Sequence, residues 1–137
     1  MWQKVALLAI GGAAGTLCRV GLSEAIDKAA GHPWPFGTLM VNLLGCFLFG
    51  LIWAMVDAKW VFGQAASIAV LAGFMGAFTT FSTFAFQTHD LHRQALHGWA
   101  LANIAVQNVV GITLIFVGVW LGNMIAKWGT LGPVGAS

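Results

Sequence analysis

Long apolar runs, broken by small clusters of charge, set the rhythm of this chain. Glu24, Asp27 and Lys28 form one cluster, Asp57 with Lys59 a second, and Asp90 with Arg93 a third. Lys4 and Lys127 stand outside them, toward the two ends. Between the clusters lie stretches of about the 20 residues that a helix needs to cross a ~30 Å hydrocarbon core. The pattern predicts spans near Val5–Ile26, Phe36–Val56, Val61–Phe86 and Trp99–Ala126. Trp2, Trp34, Trp53, Trp60, Trp99 and Trp128 fall near the proposed ends, as an interfacial aromatic belt would.

Composition agrees with that reading. Of 137 residues, 59% are hydrophobic and 7% charged, whereas a water-facing domain carries roughly a quarter charged residues. The expected fold class is all-α integral membrane, with one four-helix transmembrane domain over residues 1–128 and a flexible tail at 129–137. The first apolar run follows Lys4 as a signal peptide's would, but it is too long and contains Arg19, so a retained span is expected. Cys18 and Cys46 both lie inside proposed spans and read as small hydrophobes. A net charge of +2 is too weak to imply a nucleic-acid partner. With no soluble domain left over, function is expected within a membrane.

Orientation normally follows the excess of Lys and Arg in cytoplasmic loops. Here one side would carry Lys4, Lys59 and Lys127, the other Lys28 and Arg93, with Arg19 a turn or two inside. That balance is close to even. It is either a weak signal or the mark of a chain that inserts both ways and pairs with itself antiparallel. Such a pair would have a two-fold axis in the membrane plane, the symmetry that inverted-repeat transporters build within one chain.

Some polar residues sit where lipid does not favour them. Arg19 would cost a few kcal/mol or more unless it snorkels or lines water. Asn42 lies one turn beyond Thr38 on the same helix face, and a buried amide must bond another helix or face water; spacing leaves both open. The third span holds Gly73-Phe74-Met75-Gly76-Ala77-Phe78-Thr79-Thr80-Phe81-Ser82-Thr83-Phe84. Its glycines weaken the helix, and its hydroxyls offer the backbone other partners. That mixture predicts a helix broken near the bilayer midplane, tolerated only where protein or a water cavity covers the exposed backbone. Carbonyls freed at such a break can coordinate a small hard cation. In the fourth span Asn103 and Gln107 share a face, with Asn108 and Thr113 further along. Gly11-xxx-Gly15 and Gly118-xxx-Gly122 have the spacing of small-residue packing motifs.

Gly11-Gly12-Ala-Ala-Gly15-xxx-Arg19, Gly37-Thr38-Leu39-x-Val41-Asn42-xx-Gly45 and Gly76-Ala-Phe-Thr79-Thr80-Phe81-Ser82-Thr83-Phe84 together resemble the Fluc fluoride channels, also called CrcB-like proteins. The similarity runs in order along nearly the whole chain, and the Thr-Thr-Phe-Ser-Thr-Phe run is its most specific part. The resemblance implies a fluoride-selective channel in the inner (plasma) membrane that exports fluoride passively, with no enzymatic activity. It further implies an antiparallel, dual-topology homodimer with two pores and a central structural sodium ion. Carried over by position, Asn42 would donate its amide to fluoride. Phe81 and Phe84 would be the pore phenylalanines, Ser82 and Thr83 pore hydroxyls, and Asn108 the first choice on the fourth helix, with Gln107 and Thr113 behind it. Arg19 would serve the vestibule, and backbone carbonyls of Gly76 and Thr79 would hold sodium. Where many relatives place Ser and then Glu after the final Phe, this chain has Ala85 and Gln87.

The alternatives are a dual-topology small-molecule exporter and a membrane assembly subunit without transport. Proton-coupled exporters need an intramembrane ionisable group, typically a carboxylate, and all four acids here sit at span ends. His32, His89, His92 and His97 lie in or near loops and read as solvated side chains.

Overall fold

The structure is a computed structural model that describes residues 2–32, 34–61 and 63–130. Helix α1 runs Trp2–Ala30 and α2 runs Phe36–Asp57. The third span begins as α3, Gln64–Ser67, widens into a π-helical segment at Ile68–Met75, and ends as the single turn α4, Gly76–Phe78. Helix α5, Phe81–Arg93, and helix α6, His97–Thr130, complete the fold. Four helical stretches are long and apolar enough to cross a membrane: Trp2–Ala30, Phe36–Asp57, Ala65–Arg93 and His97–Trp128. Those four crossings make this a multi-pass membrane protein. The expected tail lies outside the described residues from 131 onward.

The helices overrun the apolar stretches that announced them. The third continues through Gln87, Thr88, His89, Asp90 and His92 to Arg93, seven residues past the expected end at Phe86, because a helix does not stop where its side chains become polar. It stops at Gln94, followed by Ala95 in the left-handed region at φ 59°.

Packing falls into two couples. Helix α2 lies mainly on α6, and α1 mainly on the π-helical segment. In each couple glycine lets backbones meet. A Cβ at Gly118 would stand 2.3 Å from the Phe47 carbonyl, one at Gly122 2.5 Å from the Leu51 carbonyl, and one at Gly50 2.3 Å from the Ile115 carbonyl. On α1, a Cβ at Gly15 would stand 2.2 Å from the Phe74 carbonyl and one at Gly11 2.4 Å from the Ala69 carbonyl. Both GxxxG spacings therefore mark real seams, in line with small-residue packing in membranes. The α1 seam faces the widened π-helical turns, a geometry that recurs at functional sites.

One core, Val41, Met75 and Phe78, sits between α2 and the third span. A second, at one end of the molecule, joins Trp34, Leu39, Leu91 and Ala100. Trp34 differs from the belt expectation. It is 6% exposed, its ring lies 5.6 Å from that of Trp99, and its Nε1 donates to the Trp99 carbonyl at 3.4 Å. The loop before α2 folds it inward over the start of α6. At the same end, Asp27 of α1 accepts from the Gly37 amide at 2.7 Å, so a carboxylate satisfies one of α2's orphan N–H groups and meets its positive pole.

Candidate functional site

Between α4 and α5 the backbone leaves the helical region for two residues. Thr79 has φ −83° and ψ 155°, and Thr80 has φ −147° and ψ 113°. A continuing helix would aim the Thr80 N–H at the Gly76 carbonyl. Instead it donates to Asn42 Oδ1 at 2.8 Å, and Asn42 Nδ2 returns a bond to the Thr80 carbonyl at 3.0 Å. The side-chain amide of α2 thus pairs with an extended peptide group as a neighbouring strand would. Gly45, one turn further along α2, makes room for this: a Cβ there would lie 2.3 Å from Thr79 Cγ2.

The second Nδ2 hydrogen of Asn42 goes to Gln107 Oε1 at 2.7 Å. Gln107 Nε2 donates to Asn103 Oδ1 at 3.0 Å, Asn103 Nδ2 to Thr88 Oγ1 at 2.9 Å, and Thr88 Oγ1 to the Phe84 carbonyl at 2.8 Å. Every link runs in the same direction, so each bond fixes the orientation of the next amide. The relay begins and ends on the backbone of the third span and passes through α6 and α2 on the way. Asn103 is fully buried. Its burial is tolerable because both ends of its amide are bonded.

Thr80 also starts α5. Its Oγ1 accepts from the Thr83 amide at 3.3 Å, the N-cap arrangement, and lies 2.9 Å from Thr83 Oγ1 and 3.4 Å from Ser82 Oγ. Phe81 and Phe84 follow, their ring centroids 5.4 Å apart and their planes at 63°. Phe84 is 7% exposed, whereas Phe81 is 76% exposed.

A groove of about 200 Å³ opens beside these residues, lined by Asn42, Cys46, Thr79, Thr80, Phe81, Phe84, Gln107 and Asn108. Asn108 donates its amide to the Ile104 carbonyl at 2.8 Å. Thr113 bonds back to the Val109 carbonyl and does not line the groove. On the other side of Thr80 lies a cavity of about 150 Å³ that includes Arg19, Ser23, Thr38, Thr83 and Gln87. Arg19 Nε donates to the Ala77 carbonyl at 3.1 Å, satisfying an acceptor that the end of α4 leaves free. Gln87 is in turn shared with a third cavity of about 190 Å³, which also includes Asp27, His32 and Asp90. Three cavities thus follow one another, sharing Gln87 and then Thr80 as walls. Gln87 Oε1 is buried without a hydrogen-bond partner.

The structure therefore gathers Asn42, Phe81, Phe84 and Asn108 around one groove, sets Thr83 and Arg19 in the adjoining cavity, and puts Ser82 within reach of the Thr80 hydroxyl. Sequence reasoning had Gln107 behind Asn108, counted Thr80 only among the hydroxyls that offer the backbone other partners, and did not single out Thr88. The four-residue spacing of Asn103 and Gln107 showed a shared face, but partners 15 and 65 residues away in sequence left no local signal.

Comparison with known proteins agrees along nearly the whole length. Residues 6–119 match the family described as CrcB-like protein, Camphor Resistance (CrcB). The chain is 45% identical over 127 residues to the fluoride-specific ion channel FluC of Nitrosococcus oceani, covering 91% of this chain and 100% of that one. It is 42% identical over 125 residues, with the same coverage, to the fluoride-specific ion channel FluC of Solidesulfovibrio magneticus. A protein of that name from Desulforapulum autotrophicum is 38% identical over 125 residues, covering 91% of this chain and 100% of its own. On these grounds the chain belongs to the CrcB-like protein family.

Proposed function

We propose that this chain is a fluoride-selective channel that lets fluoride leave the cell passively across the plasma (inner) membrane. Its curated relatives carry that activity in their names. The observation that supports it best is the chemistry of the groove. Its polar groups are neutral amides and hydroxyls beside two phenyl rings, with no Lys, Arg, Asp or Glu among its lining residues.

Fluoride is small and tightly hydrated, so a pore has to replace its water with donors. Conduction also requires that binding be weak enough for exit, which a fixed cation in the narrow part would oppose. Neutral donors meet both conditions. A phenyl ring adds an electropositive edge, so Phe81 and Phe84 can face an anion edge-on. Arg19 stands one cavity away, in a lining that also holds Glu24, where it attracts an anion without trapping it. Ser82 and Thr83 supply hydroxyl donors on the same path. Asn42 contributes in two ways. It holds the Thr80 peptide group in place, and it donates to fluoride when the ion takes the position of Gln107 Oε1 as acceptor for its second N–H. Asn108 lines the same passage from α6.

The working unit in this reading is an antiparallel, dual-topology homodimer with two pores. The nearly even basic count on the two faces supports it, as does Phe81, too exposed to line an enclosed path unless a second copy covers it. The third span would then break near the bilayer midplane at Thr79–Thr80. Carbonyls of Gly76 and Thr79 from both copies suit a structural sodium ion, because they are hard oxygen donors and that of Gly76 has lost the Thr80 amide. Bound there, sodium would tie the two copies together.

The test is a planar-bilayer recording of the reconstituted protein under a fluoride gradient. The expected result is a current that reverses near the fluoride equilibrium potential and vanishes when chloride replaces fluoride. A current carried equally by chloride would refute the selectivity.

A further inference from the structure

At the end of the molecule where α5 turns into α6, two imidazoles face each other outside the machinery described above. His92 lies in the last turn of α5 and His97 opens α6. Their Nδ1 atoms are 3.1 Å apart, with ring centroids 4.7 Å apart and planes at 52°. Both residues are exposed, and they line a shallow groove between the two helices.

We propose that His92 and His97 form a two-histidine site for a divalent first-row transition cation such as Zn2+, Ni2+ or Cu2+. The distance carries the argument. Imidazole nitrogens bind such metals at about 2.0–2.1 Å. Two of them on one ion are then separated by ~2.9 Å at a right angle and ~3.3–3.4 Å at the tetrahedral angle. The observed 3.1 Å lies between these values, so one ion can reach both nitrogens once the rings turn their lone pairs toward it. In the metal-free pair, one Nδ1 carries a proton toward the other. Binding requires only that this proton move to Nε2 of the same ring, leaving two neutral imidazoles with their Nδ1 lone pairs on the metal. Imidazole suits Zn, Cu and Ni.

Local electrostatics permit a cation there. The last carbonyls of α5 point toward its C-terminal end and favour positive charge, which offsets the unfavourable pole at the start of α6. His89 lines the same groove. Yet no group of three or more His, Cys, Asp or Glu converges on a metal position among the described residues. Water therefore completes the coordination. The bound ion would clip α5 to α6 across the Gln94–Leu96 turn.

Protein without a polyhistidine tag, purified in detergent, is titrated with Zn2+ by calorimetry and with Cu2+ by low-temperature EPR. The expected result is one saturable equivalent per chain, with nitrogen hyperfine structure from two imidazoles. It should be lost in both His92→Asn and His97→Asn, and retained in His89→Asn and His32→Asn. Zn2+ should raise the unfolding temperature of the wild type but not of His92→Asn, as binding to the folded state requires. Absence of saturable binding, or equal binding in the His92→Asn/His97→Asn double variant, would overturn the site. Loss of binding in His89→Asn would overturn the two-ligand assignment. Fluoride flux is not part of the readout, so the outcome is independent of the channel reading.

Discussion

Replacing Asn42 with leucine, similar in size but unable to hydrogen bond, probes the clamp on Thr80. Three bonds disappear: one from the Thr80 amide, one to the Thr80 carbonyl, and one to Gln107. The important loss is the pairing of a peptide group that no longer has helical partners. A buried donor or acceptor left unpaired costs about 1–3 kcal/mol. Thr80 is only half-buried, which puts each of its two groups near the low end of that range. The extended conformation then loses about 2–3 kcal/mol relative to alternatives in which the third span closes its own hydrogen bonds. At ~1.4 kcal/mol per factor of ten, the ratio of the groove geometry to its alternatives falls roughly 30- to 140-fold.

Fluoride-electrode measurements on proteoliposomes, with folding checked by size exclusion, should show efflux reduced by about that factor. Gln107→Leu is the matched comparison, because it removes two relay bonds, to Asn42 and to Asn103, and leaves the Asn42–Thr80 pair intact. Of these the bond to Asn42 bears on the groove, and a single net hydrogen bond of about 1 kcal/mol corresponds to roughly a fivefold loss. Folded Asn42→Leu protein with flux within threefold of wild type would refute the clamp, and so would a Gln107→Leu variant slower than Asn42→Leu.

Three further outcomes are expected. Phe81→Ile together with Phe84→Ile, which keeps apolar volume but removes the ring edges, should cut fluoride efflux at least tenfold in folded protein; undiminished flux would remove both rings from the path. Gly118→Leu places side-chain atoms against the Phe47 carbonyl, and overpacking of about 1–3 kcal/mol or more should lower the thermal midpoint in detergent by several degrees, while Gly12→Ala, with nothing within 4 Å of its Cβ position and a better helix former in place, should not lower it. Asn103→Leu strands the Gln107 amide and should destabilise the protein by about 1–3 kcal/mol, more than Asn108→Leu, whose amide bonds only its own helix.

The helical crossings were legible in the sequence because burying unpaired backbone in lipid is so costly that hydropathy alone nearly dictates where a helix must run. The departure of the backbone from the helix at Thr79 and Thr80 was legible for a related reason: glycines and hydroxyls in that stretch weaken helical hydrogen bonding. Helix ends were less so, since Gln87 through Arg93 continue α5 after hydropathy has ceased to speak for it. The relay was only half visible. Asn103 and Gln107 share a face by local periodicity, but their bonds to Thr88 and Asn42 depend on how α6 packs against α5 and α2. Trp34 shows the same limit, because an aromatic residue beside a span end reads as an interfacial anchor until a loop folds it onto Trp99. The glycines of α1 and α6 looked common by composition. Only the facing carbonyls of Phe74 and Phe47, which leave no room for a Cβ at Gly15 and Gly118, distinguish them as seams.

The most direct test of the central claim is anion efflux from liposomes reconstituted with the purified protein, loaded in parallel with fluoride and with chloride. The account predicts rapid fluoride release with no matching chloride release. Absence of fluoride efflux from demonstrably folded protein, or chloride efflux at a comparable rate, would contradict it.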